Sequence, residues 1–284
     1  MIDRLAKSRS KTMKEGFASM VLVSLLAFGG FVRAYADGGA EKVEFEGKEF
    51  RVVKIDPKQQ KLELMWKGAD GQPLKTFQAV DAALQTGGRQ LAIAMNAGIY
   101  EPGQVPSGLH IEKGKTLVPL NLKNGEGNFY LKPNGVFFLN ADGSAGVMEA
   151  AAYGAAGKTP QLAVQSGPVL LVDGKIHPAF NDGSPNVRFR NGIGADSDGK
   201  LVMANSVVRE GNDVNFHTFA RLFRDRLGCA SALFLDGDIS ELYVRSADGE
   251  VPKAKNWFAA MFVVAEKAGA EGKPSDAAQA VKPQ

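Results

Sequence analysis

The chain has 284 residues, 44% hydrophobic and 23% charged, with 33 glycines, 13 prolines and a single cysteine. This excludes a disordered, collagenous or coiled-coil protein, and the lone Cys229 excludes an internal disulfide or a cysteine-built zinc site. The net charge of +3 is confined to one end: residues 1–36 hold six basic and two acidic side chains, leaving 28 basic against 29 acidic in the remainder, a net −1 without the basic excess of a nucleic-acid binder.

Arg4, Lys7, Arg9, Lys11 and Lys14 precede an apolar stretch from Phe17 to Val32, and Ala34-Tyr35-Ala36 follows. A basic start, a short apolar run and small residues in an A-x-A arrangement are the layout of a secretory signal peptide, here expected over 1–36 with cleavage near Ala36. The destination is then the periplasm or the medium. The run is shorter than the ~20 residues that span a bilayer comfortably and is interrupted by Gly29-Gly30, so no stable membrane insertion is expected after cleavage. Residues 37–265 read as one domain, and 266–284, with no aromatic residue, as a disordered tail.

Within the domain, Phe50–Ile55 and Leu62–Trp66 flank Asp56–Gln60 and predict two antiparallel strands joined by a loop. Phe77, Val80 and Leu84 recur at helical spacing before Gly87-Gly88, and Leu91–Met95 is a continuous apolar run ending at Asn96-Ala97-Gly98, as in a central strand. Short strands are expected at Leu109–Glu112, Phe129–Leu131, Val136–Leu139, Leu162–Gln165, Val169–Val172, Ile193–Ala195 and Leu201–Ala204. The pairs Asn134-Gly135, Asp142-Gly143, Asp173-Gly174 and Asp198-Gly199 have the composition of hairpin turns. Phe216, Phe219, Ala220, Phe223 and Leu227 mark an amphipathic helix capped by Asn215 and stopped by Gly228. Ala232–Leu235 and Trp257–Val264 are the last predicted strands. The fold class is α+β: a single domain with a large mixed, mostly antiparallel β-sheet and a few packed helices.

The polar residues that stand out end apolar runs, where a buried strand presents a side chain at the rim of a sheet. Asp236 follows Ala232–Leu235 and precedes a glycine; Asn96 repeats the pattern. Both are also good turn formers, and the pattern alone leaves the two readings open. Arg188 and Arg190 share one face of an extended segment and suit phosphate or carboxylate oxygens, or else a solvated edge strand. His217 lies in the first turn of the predicted helix with Asn215 and Thr218, where free amides favour an anion. His110, His177 and His217 have no metal-ligand spacing, Asp196-Ser197-Asp198-Gly199 lacks the rest of a calcium loop, and no nucleotide loop or nucleophile elbow occurs. Neither a metal nor a cofactor is expected.

The ordered stretches Met95–Tyr100, Pro106–Leu109, Gly127–Phe129, Lys132–Phe137, Gln165–Pro168, Arg190–Gly194, Asn215–Ala220 and Leu227–Gly237 together resemble the phosphodiester glycosidase family over roughly residues 90–245. The family's Asn-Gly-Gly-Phe/Tyr-Phe stands here as Asn96-Ala97-Gly98-Ile99-Tyr100, and its Asp-Gly-Gly-x-Ser as Asp236-Gly237-Asp238-Ile239-Ser240. The resemblance implies hydrolysis of a sugar 1-phosphodiester at the glycosidic bond, on an envelope or extracellular phosphoglycan. The reaction so implied needs charge neutralised at the phosphate and a carboxylate near the anomeric carbon: Asp236 is the expected base or nucleophile, Arg190 the phosphate partner with His217 assisting, Asn96 orients a hydroxyl or the water, and Glu101 is a candidate second carboxylate. Asn215, Thr218, Asn191, Gly98, Gly237 and Arg188 are the expected substrate contacts. The alternative is a non-catalytic periplasmic protein that binds a phosphoglycan in the same pocket.

Overall fold

The computed structural model describes residues 39–269 except residue 247, so the expected signal peptide and the tail beyond 269 lie outside the described residues. In chain order the strands are β1 (Glu41–Phe45), β2 (Lys48–Ile55), β3 (Leu62–Met65), β4 (Arg89–Asn96), β5 (Tyr100–Glu101), β6 (Val105–Pro106), β7 (His110–Glu112), β8 (Lys115–Val118) and β9 (Gly135–Leu139). They continue with β10 (Ala145–Glu149), β11 (Leu162–Ser166), β12 (Val169–Val172), β13 (Lys175–Ile176), β14 (Asn191–Asp196), β15 (Leu201–Ser206), β16 (Cys229–Asp236), β17 (Leu242–Val244) and β18 (Met261–Lys267). The helices are α1 (Phe77–Gln85), α2 (Ala150–Ala155) and α3 (Phe216–Arg221), the last continued by a wider helical turn over Leu222–Arg226.

The α+β class holds, with the strands divided among three main sheets whose ladders are antiparallel. The first runs β1-β2-β15-β14-β16-β12-β13, the second β10-β9-β11-β7-β8 and the third β17-β4-β18-β3, while β5 and β6 form a separate hairpin. Each main sheet turns one face to a shared core that includes Val53, Ile193, Leu233 and Leu235 of the first, Phe137 and Val164 of the second, and Met95 and Phe262 of the third. The other faces carry the helices. Phe216, Phe219 and Phe223 cover Val52, Val202, Ala232 and Phe234 of the first sheet; Phe77, Val80 and Leu84 of α1 cover Ala94 and Val263 of the third. Tyr153 of α2 packs with Phe138 of the second. Burial on both faces is why Ala232–Leu235 is apolar throughout: Leu233 and Leu235 face the shared core, Ala232 and Phe234 the α3 side. Helices α1 and α3 have side-chain N-caps, Thr76 accepting from the Ala79 amide at 3.1 Å and Asn215 from the Thr218 amide at 2.8 Å.

Several expectations are corrected. β2 and β3 are not partners: β2 pairs with β1 and β15, and β3 with β18 in another sheet. Asp56 accepts the Gln60 amide at 2.8 Å in the turn between them, but that turn carries the chain from one sheet to another. Phe129 lies in a 3-10 turn over Asn128–Tyr130 rather than a strand. Gly135 is not a turn glycine: it opens β9, and a Cβ there would lie 2.5 Å from Val169 Cγ2, so the residue serves close sheet packing. The last strand begins at Met261, leaving Trp257 in an exposed loop, and runs two residues into the expected tail, with Glu266 and Lys267 opposite Gln90 and Arg89. Among the described residues no helix is long and apolar enough to cross a membrane.

Candidate functional site

The three sheets are tied together where β16 ends. Asn191 in β14 is paired across the ladder with Asp236. Its amide Nδ2 donates to Asn96 of the third sheet, to Oδ1 at 2.8 Å and to the backbone oxygen at 3.1 Å. Asn96 Oδ1 also accepts the Glu241 amide at 3.0 Å, which fixes the loop that follows Asp236. From the second sheet, Ser166 Oγ donates to the Leu235 carbonyl at 3.1 Å. Asn96, Asn191 and Ser166 are fully buried, so each of these bonds replaces lost hydration and sets the position of the β16 end.

A cavity of about 480 Å³ opens at this junction, lined by Ile99, Tyr100, Asn128, Arg188, Arg190, Asp236, Gly237, Asp238 and Ile239. Asp236 is only partly exposed. Burial pushes its carboxyl up to about 7, the neighbouring Asp238 adds to the rise, and the Gly237 amide, donating at 2.7 Å, opposes it. Tyr100, whose hydroxyl donates to the Trp257 carbonyl at 2.7 Å, is also raised, by burial and then by Asp236.

Arg190 is 1% exposed and has no carboxylate within ion-pair distance among the described residues. Its Nε donates to the Val214 carbonyl at 2.7 Å and Nη2 to Asn186 O at 2.9 Å, while the guanidinium lies 3.6 Å from the Phe216 ring centroid. Burial first, then repulsion from Arg188, lowers it to about 10, with Asp238 opposing. It stays charged at neutral pH. A buried guanidinium that bonds only neutral groups and lines a cavity has the chemistry that suits an anionic ligand. Arg188 is the exposed member of the pair; its Nε is 3.8 Å from Asp238 Oδ2.

The structure therefore brings together four of the sequence-derived site residues, Asp236, Gly237, Arg188 and Arg190, with Asn96 and Asn191 directly behind them. Gly98 also lies behind the wall, and its φ of 88° turns the chain so that Ile99 and Tyr100 face the cavity. The others stand apart. Glu101 accepts a bond from Ser107 Oγ at 2.9 Å on the β5–β6 hairpin and does not line the cavity. Asn215, His217 and Thr218 do not line it either: Asn215 already caps the helix, and His217 Nδ1 is 3.6 Å from Asp182. Their segment acts on the site indirectly, through Val214 and Phe216 beneath Arg190. Tyr100, Asn128 and Asp238 were missing from the expected set although all three fall within or beside the family-like stretches. Among the described residues no group of three or more His, Cys, Asp or Glu side chains gathers to hold a metal ion.

The chain is 35% identical over 213 residues, 75% of its own length and 80% of the relative's, to the uncharacterized protein YigE of Escherichia coli K12. The catalytic domain of zebrafish N-acetylglucosamine-1-phosphodiester alpha-N-acetylglucosaminidase, solved in a form auto-inhibited by its pro-peptide, superposes with a TM-score of 0.54 at 16% identity, covering 79% of this chain and 81% of that one. A hypothetical protein from Synechocystis gives 0.50 at 14% identity, covering 80% of this chain and 61% of its own. These two likenesses concern the fold. The family model of the phosphodiester glycosidases matches residues 89–265, a stretch that contains every residue lining the cavity, and the chain belongs to that family.

Proposed function

We propose that the protein hydrolyses a sugar 1-phosphodiester at the glycosidic bond, releasing the sugar and leaving a phosphomonoester, on a phosphoglycan of the envelope or the medium. The observation that carries this reading is the buried, carboxylate-free Arg190 in one cavity with Asp236. Arg190 and Arg188 neutralise the phosphate. Departure of the phosphate from the anomeric carbon passes through an oxocarbenium-like state, and phosphate is a good enough leaving group to place little demand on a general acid. A water oxygen bonds to the anomeric carbon, the bond from that carbon to the bridging oxygen breaks with its electron pair on the departing phosphate oxygen, and Asp236 takes the water proton. A carboxylate titrating near 7 suits that role. Asn96 and Asn191 are positioning residues, because both are buried and Asn191 Nδ2 and the Glu241 amide converge on Asn96 Oδ1 in the frame. The basic and apolar character of residues 1–36 supports export of the chain to such a substrate.

The test is sugar release from a panel of glycosyl 1-phosphodiesters. Asp236→Asn and Arg190→Ala are each expected to lower kcat/KM by about 100-fold or more, in line with the loss of an acid–base group or an electrostatic clamp. Folded variants as active as the parent would remove the mechanism. Binding of the panel with no turnover would instead favour a phosphoglycan-binding protein.

A further inference from the structure

The cavity wall carries a charge that the hydrolytic mechanism does not use. Asp238 lines the cavity with Arg188, Arg190 and Asp236, and its Oδ2 stands 3.8 Å from Arg188 Nε. Its side chain is 69% exposed, so it is not a structural partner buried for stability. The turn that bears it is fixed nonetheless: the Ser240 amide donates to the Gly237 carbonyl at 2.9 Å and Ser240 Oγ to the Asp236 carbonyl at 3.2 Å, with Ser240 itself buried. A carboxylate is thus held at the mouth, beside the guanidinium that an incoming anion must reach.

With both aspartates ionised, two arginines face two carboxylates in the cavity. A phosphodiester brings one negative charge; a phosphomonoester above its second ionisation, near pH 6, brings close to two. We propose that Asp238 is the charge-selectivity residue of this cavity: it admits a singly charged phosphodiester in preference to a doubly charged phosphomonoester, and so speeds release of the phosphomonoester that hydrolysis leaves. The proposal rests on the hydrolytic reading of the same site. Physically, Asp238 competes with the ligand for Arg188 and repels a dianion twice as strongly as a monoanion. At a few ångströms in a solvated mouth, each ligand charge is worth about threefold in affinity.

The experiment is calorimetric binding at about pH 8 of two probes that carry no sugar and so need no turnover: phenyl phosphate as the dianion and methyl phenyl phosphate as the monoanion. Asp238→Asn is expected to tighten phenyl phosphate by about tenfold and methyl phenyl phosphate by about threefold, narrowing the preference for the diester by about threefold. Asp238→Glu is expected to keep the parent's preference. Asp198→Asn changes the net charge equally in the exposed turn at the far end of β14, and is expected to change neither affinity. An unchanged ratio in Asp238→Asn, or an equal shift in Asp198→Asn, overturns the proposal while leaving phosphate binding by the cavity intact. Absence of binding of either probe to the parent protein overturns the hydrolytic reading, and the proposal falls with it.

Discussion

Replacing Asp236 by Asn tests whether the carboxyl at the end of β16 is held out of water as the geometry requires. The group moves from 3.8 in its ordinary setting to about 7 in the folded protein, with burial as the leading cause. One unit is worth about 1.4 kcal/mol, so holding the ionised form in the folded state costs roughly 4 kcal/mol, or about 2–4 kcal/mol once residual contact with solvent is allowed for. Below about pH 4 the carboxyl is protonated in both folded and unfolded chains and costs nothing. Between about pH 4 and 7 the unfolded chain releases the proton while the folded one keeps it, so stability falls as pH rises, and above about pH 7 the full penalty is present. Asparagine retains the acceptor for the Gly237 amide, bonded at 2.7 Å in the parent, and carries no charge. Asp236→Asn is therefore expected to match the parent near pH 3.5 and to exceed it by about 2–4 kcal/mol near pH 8.5, a rise in Tm on the order of 5–15 °C for a domain of this size. Urea unfolding of both proteins across that range reads the difference directly. Stability curves that run parallel from acid to alkaline pH would refute the argument, because a carboxyl with an ordinary pKa gives no divergence above about pH 5.

Asn96→Ala removes the acceptor shared by Asn191 and Glu241, both bonds lying in buried or half-buried surroundings. A loss of about 1–3 kcal/mol in urea unfolding is expected, with a fall in kcat larger than any change in KM. Gly98→Ala places a Cβ at φ 88°, 3.2 Å from Val164 Cγ2 and 3.4 Å from the Gln165 carbonyl. It is expected to cost at least about 1 kcal/mol and, by shifting Ile99 and Tyr100, to raise KM. Glu101→Gln and His217→Ala lie outside the cavity lining and are expected to hold kcat/KM within about threefold of the parent in the sugar-release assay; a loss approaching that of Asp236→Asn would restore them to the site.

Local information placed most of the elements. Phe77, Val80 and Leu84 define α1 because helical spacing gathers them on one face. Asp198-Gly199 closes the β14–β15 hairpin, with Gly199 at φ 76°, because that dipeptide accepts the turn's backbone at little cost. The continuous apolar runs of β4 and β16 are legible because those strands are buried on both faces. Arg188 and Arg190, two residues apart, were legible as a pair for the same period-two reason, and both reach the cavity.

What the sequence by itself determined is burial along the chain: which residues face a core, where strands stop at Asn96 and Asp236, and which short stretches resemble a family. Only the tertiary structure decided who meets whom. Periodicity states that Phe50–Ile55 and Leu62–Trp66 are each apolar strand segments, but a strand pairs with whatever surface covers it, and β2 and β3 found β15 and β18 in different sheets. Likewise the cap at Asn215 and the first-turn setting of His217 are local features that engage the Thr218 amide and Asp182 and do not line the cavity. Tyr100, Asn128 and Asp238 reach it because three separate segments converge where the sheets are stitched by Asn96, Asn191 and Ser166. Convergence of that kind depends on long-range hydrogen bonds between residues far apart in the chain, and no local pattern encodes the distance between them.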